Sequence, residues 1–567
     1  MDSSRPRGLL DLPTEILVEI FRTFCLHCWY GDRHDHGEEA LVSLDRDMFE
    51  VGRQGRAVLA KISRTCKALA PIAQPLLFHF FHTGNQPRML ESNHWDDVSF
   101  RPGSADDDML LPFIRTLLDR PDLAVHVRAL ALYHAMPVRA AAAADRNLMA
   151  RIRAMILQQL FREADLQQYG DDLRPFGDDF HLHDVVIALS PNVEQLLLGG
   201  IGTPKVYDEA GNVAMIGRGN RTQRYEEWPG SGPVLHRLRY AAFVTTPTES
   251  APYRRGRYHM LMLEPLVGRA PNLEMLLAAD AGHSQSSHFW MRREPWTTAP
   301  LMHLRTMCVS GVGPEILCGV FACCPALEDL SYWVDADAAD FEGYRSDLTL
   351  LTEDHMVPLY PSLRRLCYSY VESRYYTPQW AQRVAEEDGP LGWSGPERAS
   401  NRDPYVSFRR FARLAILEVE HVLFNGGDEA ITSPGPHQGR TQHARDCVPE
   451  TTPRRLLEAL PASLQVLHIG FVINWIDFYH DMEALALGAA KNVPLLRIVR
   501  ADCVALPPEE EVDDLVMLLG AVGIRFCVGE THKGDGVRGM MDDRPGHPYG
   551  TQDPVFSYGL HCLEKLV

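Results

Sequence analysis

The densest group of metal-capable side chains in the 567-residue chain is CLHCWYGDRHDH, residues 25 to 36. Here Cys25, His27, Cys28, His34 and His36 form a C-x-x-C followed by H-x-H. Thiolates and imidazoles are zinc ligands, and a closed zinc site needs four of them converging. His34 follows Cys28 by only six residues, far fewer than in a zinc finger, and both cysteines fall at the end of an expected helix. The spacing therefore favours packed cysteines beside a polar loop over a metal. His283 and His288 in GHSQSSHFW stand near Asp280, where ordinary surface-loop histidines are the expectation. Trp393-Ser394-Gly395 lacks the glycine that would complete a nucleophile elbow. GRGNRT lacks the third glycine and the strand–helix setting of a dinucleotide loop, and no GxxxxGK[ST] occurs. Asp335, Asp337 and Asp340 follow an expected strand and read as a solvated loop. On this reading no catalytic residue, cofactor or metal is expected, and the chain is not an enzyme.

The element that carries Cys25 begins at LLDLPTEILVEIFRTF, residues 9 to 24. Pro13 suits a first helical turn, where its missing N–H has no intrahelical partner. Glu15 places negative charge near the positive end of the helix dipole. Leu12 takes the expected cap position, with Asp11 near enough to assist. Ile16, Leu17, Ile20, Phe21 and Phe24 form one apolar stripe, and Leu9, Leu10 and Leu12 add an apolar arm upstream. Residues 57 to 82, AVLAKISRTCKALAPIAQPLLFHFFH, continue at helical spacing through Val58, Leu59, Ile62, Cys66, Leu69 and Ile72. Pro71 and Pro75 mark where that helix must bend or stop. Between the two lies a polar insertion, 25 to 56, whose Gly31, Gly37, Gly52 and Gly55 read as loop.

LPTEILVEIF followed by LAKISRTCKALAPIAQPLLF resembles an F-box of the fungal type, over residues 9 to 24 and 57 to 80. The resemblance implies docking to the Skp-type adaptor of a cullin–RING ubiquitin ligase. Carried onto matching positions, it implies that Leu12, Pro13, Ile16, Leu17 and Ile20 meet the adaptor, with Phe21 at the edge.

Beyond residue 100 one pattern recurs: apolar, two residues, apolar, one residue, apolar. It begins at Val127, Val193, Leu235, Leu273, Leu304, Leu327, Leu363, Leu414, Leu464 and Leu496. Pro191, Pro233, Pro271, Pro325, Pro361 and Pro494 each stand two residues before one of these. The physical reading is a helix, a proline that stops it, and a short strand with alternating inward side chains. GPEILCGVFACC before Leu327 and TPRRLLEAL before Leu464 are such helices. The array resembles a degenerate leucine-rich repeat. KVYDEAGNVAMIGRG reads as a hairpin around Ala210-Gly211-Asn212, and PPEEEVDD as a solvated helix start after proline.

The expected fold is therefore α/β: a small all-α F-box module followed by an irregular leucine-rich-repeat-like solenoid. Its domains are 1–82, with the insertion at 25–56, a helical connection at 83–120, and a solenoid over 121–567 with long loops at 201–231, 372–408 and 425–453. Fifty-six basic against 75 acidic side chains give a formal charge of −19, which repels phosphate backbones and argues against nucleic acid as main partner. No apolar run is long enough to span a membrane, and twelve scattered cysteines without a framework suggest reduced thiols in cytosol or nucleus. The expected function is the substrate-recognition subunit of a ligase, bound to the Skp-type adaptor and through it to cullin and RING subunits, with a protein target on the solenoid. The alternatives are an F-box scaffold acting outside a ligase and, from another class, a metal-dependent enzyme.

Overall fold

The computed structural model describes residues 9–28, 46–83, 109–133, 147–154 in part, 182–199, 206–207, 213–214, 235–244, 267–278, 301–310, 314–334, 356–370, 407–421, 424, 455–472, 475–503 and 507–530. The chain divides into two compact units, one built mainly on residues 1 to 284 and the other on 304 to 547. Both are mixed α/β, and twelve of the described strands pair in parallel.

The first unit opens with three helices. A 3-10 turn, Leu9–Asp11, leads into α1, Thr14–Arg22, followed by α2, Arg46–Thr65, and α3, Ala70–Phe78. Pro13, not Leu12, holds the N-cap position of α1, at φ −53°. That angle is the one its ring imposes, so the proline sets the start of the helix. Pro75 does not end α3, which runs through it to Phe78. The three helices close on one core of Leu17, Phe21, Cys25, Cys28, Leu59, Leu69, Ala73 and Leu76.

The polar insertion is not loop throughout. Its last part is the first half of α2, and Gly52 and Gly55 are helical and buried there. A Cβ on Gly52 would lie 2.9 Å from Leu26 Cδ2, and one on Gly55 would strike the carbonyl oxygen of Phe24. The glycines therefore mark a close approach of α2 to the end of α1, where helix propensity yields to packing. Gly55→Ala should lower the stability of this unit by about 1–3 kcal/mol, since a backbone carbonyl cannot move aside as a side chain can. Hydrogen exchange of the α2 amides in the two chains measures it, and equal protection would contradict the close approach.

Strand β1, Phe80–His82, follows α3 directly. Helices α4, Leu110–Asp119, and α5, Pro121–Ala124, precede β2, Ala129–Tyr133; α6, Leu182–Leu189, precedes β3, Gln195–Gly199. The expected hairpin is present as β4, Val206–Tyr207, antiparallel to β5, Val213–Ala214. Strands β6, Tyr240–Val244, and β7, Met275–Ala278, complete this unit's parallel order β1-β2-β3-β6-β7.

The second unit carries β8, Thr306–Ser310; β9, Asp329–Val334; β10, Arg365–Tyr370; β11, Ile416–Glu420; β12, Val466–Val472; β13, Ile498–Cys503; and β14, Arg525–Glu530, all parallel and in sequence order. Between them lie α7, Pro314–Ala322; α8, Arg455–Ala459; α9, Trp475–Asn492; and α10, Glu509–Ala521. The acidic start of α10 follows Pro508 and carries Glu509, Glu510 and Glu511 in its first turn.

The recurring pattern sets the register. β2, β3 and β7 through β13 each begin two residues after the first apolar position, as at Val127, Leu327 and Leu496. The exception is Leu235: β6 begins at Tyr240, so Leu238 takes that place. At most steps within each unit one carbonyl receives two amides of the next repeat: Glu194 receives Arg239 and Tyr240, and Glu328 receives Arg364 and Arg365. From Arg128 to Arg364 the side chains at this position alternate in charge, so Arg128 Nη1 meets Glu194 at 2.9 Å and Arg239 Nη2 meets Glu274 at 2.7 Å, before Ala415 and Gln465 end the alternation. Opposite charges on neighbouring strands favour this register over a one-step slip. On the face below, Met307, Leu330, Leu366, Leu417, Leu467, Val499 and Phe526 are register partners in turn, all buried.

Candidate functional site: an apolar helix face and two buried clusters

Helix α1 has two faces with different fates. Leu17 and Phe21 turn into the three-helix core, 5% and 1% exposed, while Ile16 and Ile20, one position earlier in each turn, are 46% and 36% exposed. The 3-10 turn adds Leu9, Leu10 and Leu12 to the exposed side, held by the Leu12 amide donating to the Leu9 carbonyl at 3.3 Å. Pro13 is exposed between them. Of the six side chains for which the F-box resemblance implies adaptor contact, Leu12, Pro13, Ile16 and Ile20 are exposed. Leu17 and Phe21 are buried in the three-helix core. Clustered exposed apolar side chains of this size mark contact surfaces more often than they mark ordinary surface.

At the other end of α1 the chain makes a further helical turn, and Cys25 and Cys28, three apart, share its inner face, both buried. They are packed, as the sequence suggests; residues 29 to 45, which follow them, lie outside the described residues. His79, the residue between α3 and β1, brings Nδ1 to 3.3 Å from Cys28 Sγ, and His27 Nδ1 lies 3.9 Å from the same sulfur. One ligand atom from each of Cys25, His27, Cys28 and His79 lies within 4.8 Å of all the others. Hydrogen bonding from Cys25 does most to hold the Cys28 thiol far below the usual thiol range; burial opposes it and both histidines assist. The matching interaction, with burial, pushes Cys25 up. On its far side His27 Nε2 faces Glu194 Oε2 at 3.7 Å. His34, His36, Asp280, His283, His288, Trp393, Asp335, Asp337 and Asp340 lie outside the described residues.

A second cluster, in the other unit, was not singled out from sequence. Glu418, His468 and Arg500 are register partners on β11, β12 and β13. His468 Nε2 lies 2.8 Å from Asp502 and its Nδ1 3.4 Å from Glu418, while Arg500 Nε donates to Asp502 at 3.0 Å. Burial opposes charge on His468, yet Glu418 and Asp502 outweigh it and lift the imidazole to about 9. Asp502 is held below the usual carboxylate range: burial opposes this, but His468 and Arg500 prevail. The signal was in the sequence: each of the three stands four residues after the first apolar position of its repeat, where Cys308, Ser331 and Cys367 stand in earlier ones. His421 and Asp481 make a further buried pair at 3.2 Å.

No helix among the described residues is long and apolar enough to cross a membrane. No family model matches the chain, and no curated protein matches it.

Proposed function

We propose that the chain is a substrate receptor of a cullin–RING ubiquitin ligase: an F-box module that docks to a Skp-type adaptor, followed by a leucine-rich-repeat-like solenoid that holds a protein target. The observation that carries this reading is the exposed set Leu9, Leu10, Leu12, Ile16 and Ile20, on α1 and the turn before it, where the opposite face of the helix is already satisfied by the core. Such a face has no further use inside its own module, and it falls on the LPTEIL residues that resemble an F-box. The ordered parallel strands beyond it are consistent with an array that presents an extended surface.

The mechanism is positional. Holding target and ligase on one chain makes ubiquitin transfer effectively intramolecular and raises the local concentration of target lysines. The receptor contributes no nucleophile. Its side chains bind and orient; the ligase's other subunits and the charged ubiquitin-carrying enzyme perform the transfer.

The test is co-expression of the full chain with a Skp-type adaptor and affinity capture through the chain. The wild-type chain should bring the adaptor down, and Pro13→Ala with Ile16→Ala should abolish capture. Undiminished capture by a soluble, folded double variant would contradict the reading.

A further inference from the structure

We propose that Cys25, His27, Cys28 and His79 are the four ligands of a structural zinc ion. The inference stands apart from adaptor docking and rests on the geometry of the cluster. Zinc–sulfur bonds of about 2.3 Å and zinc–nitrogen bonds of about 2.0–2.1 Å put tetrahedral ligands about 3.3–3.8 Å apart. Cys28 Sγ lies 3.3 Å from His79 Nδ1 and 3.9 Å from His27 Nδ1, and all four candidate atoms fall within 4.8 Å of one another. Two thiolates with two imidazoles are the donor set that selects zinc over harder cations. Four protein ligands leave no open position, so the ion is structural.

The surroundings supply what a ligating histidine needs. His27 faces the cluster through Nδ1 and turns Nε2 to the Glu194 carboxylate, 3.7 Å away. That carboxylate is itself held by Arg128 at 2.9 Å. A carboxylate behind the second ring nitrogen fixes tautomer and ring orientation in metal-bound histidines. The cluster core is closed to water, because Cys25 and Cys28 are both buried.

The position of the site says what it does. Cys25 and Cys28 lie on the turn that follows α1, while His79 joins α3 to β1 and its carbonyl receives the amides of Arg128 and Ala129 as β2 begins. Glu194 immediately precedes β3. One ion at this point ties the helical group to the first three strands of its unit. Because His79 is brought to Cys25, His27 and Cys28 only when the chain folds, zinc binding here adds directly to folding.

The full chain, purified under reducing conditions without chelator, should carry about one zinc per chain by elemental analysis. Cys25→Ser with Cys28→Ser should lose it, as should His79→Ala, whereas Cys66→Ser, a thiol beside the same core, should keep it. Glu194→Gln should retain the site with affinity lowered about 10–100-fold in a chelator competition. Should the ligand variants fail to fold, cobalt exchanged into the wild-type chain reads the site directly, through visible bands of tetrahedral Co2+ with thiolate ligands. A zinc-free wild-type chain whose thiols all titrate, a Cys25–Cys28 disulfide, full zinc in the double cysteine variant, or octahedral cobalt bands would each overturn the proposal.

Discussion

Phe21→Ala will destabilise the helical module by about 3–5 kcal/mol, while Ile16→Ala, five residues earlier on the same helix, will change it by less than about 0.5 kcal/mol. The difference follows from burial alone. Phe21 is 1% exposed and packs in the core with Leu17, Leu59, Leu69, Ala73 and Leu76, so its removal leaves a cavity that three short helices cannot close. Ile16 has nearly half its surface in water and loses little on truncation. A chain of two units does not unfold in one step, so the measurement belongs to the module itself. Hydrogen exchange of amides in α2 and α3 should accelerate strongly in Phe21→Ala and stay at the wild-type rate in Ile16→Ala. Equal protection in both would mean that α1 does not divide its faces as described.

Raising the pH from about 6.5 to above 9 will destabilise the second unit, by on the order of 3 kcal/mol from His468 alone. The folded imidazole titrates near 9 against 6.5 in an unfolded chain, because Glu418 and Asp502 overcome the cost of burial. A group whose folded pKa is raised contributes its full stabilisation below the unfolded value and loses it as pH climbs through the folded one. Above pH 9 the neutral ring leaves two buried carboxylates with Arg500 as the remaining cation of the chain Glu418–His468–Asp502–Arg500. Thermal melting across this range, wild type against His468→Gln, isolates the contribution, since every other titrating group is common to both. The wild-type curve should fall the more steeply, and parallel curves would contradict the network.

How far the sequence led depends on the residue. The repeat was legible because a buried apolar residue, a turn and an alternating strand must recur together, and nine of the ten first positions stand two residues before their strands. Leu235 misled because Leu235 and Leu238 are three apart, and the pattern can start at either. β1 and β14 escaped notice: the first is three residues long, and the second, beginning Arg525-Phe526-Cys527, has Gly523 where the other repeats carry their first apolar residue. Gly52 and Gly55 read as loop because glycine is a poor helix former, yet the approach of Phe24 and Leu26 requires residues without a side chain. Ile16 and Leu17 could not be sorted by periodicity, since neighbouring positions both lie on a broad apolar stripe. His79 was invisible as a partner for Cys28: 51 residues separate them, and only the packing of α3 against α1 brings them together.

The docking claim is tested most directly by calorimetric titration of purified Skp-type adaptor into the full chain. The wild-type chain should bind, and Ile16→Asp should weaken binding about 100-fold or more, as desolvating a charge at the centre of an apolar contact does. Leu487→Asp, at an apolar side chain 87% exposed in the second unit, should bind as the wild type does. No heat from the wild-type chain, or wild-type affinity in a folded Ile16→Asp chain, would contradict it.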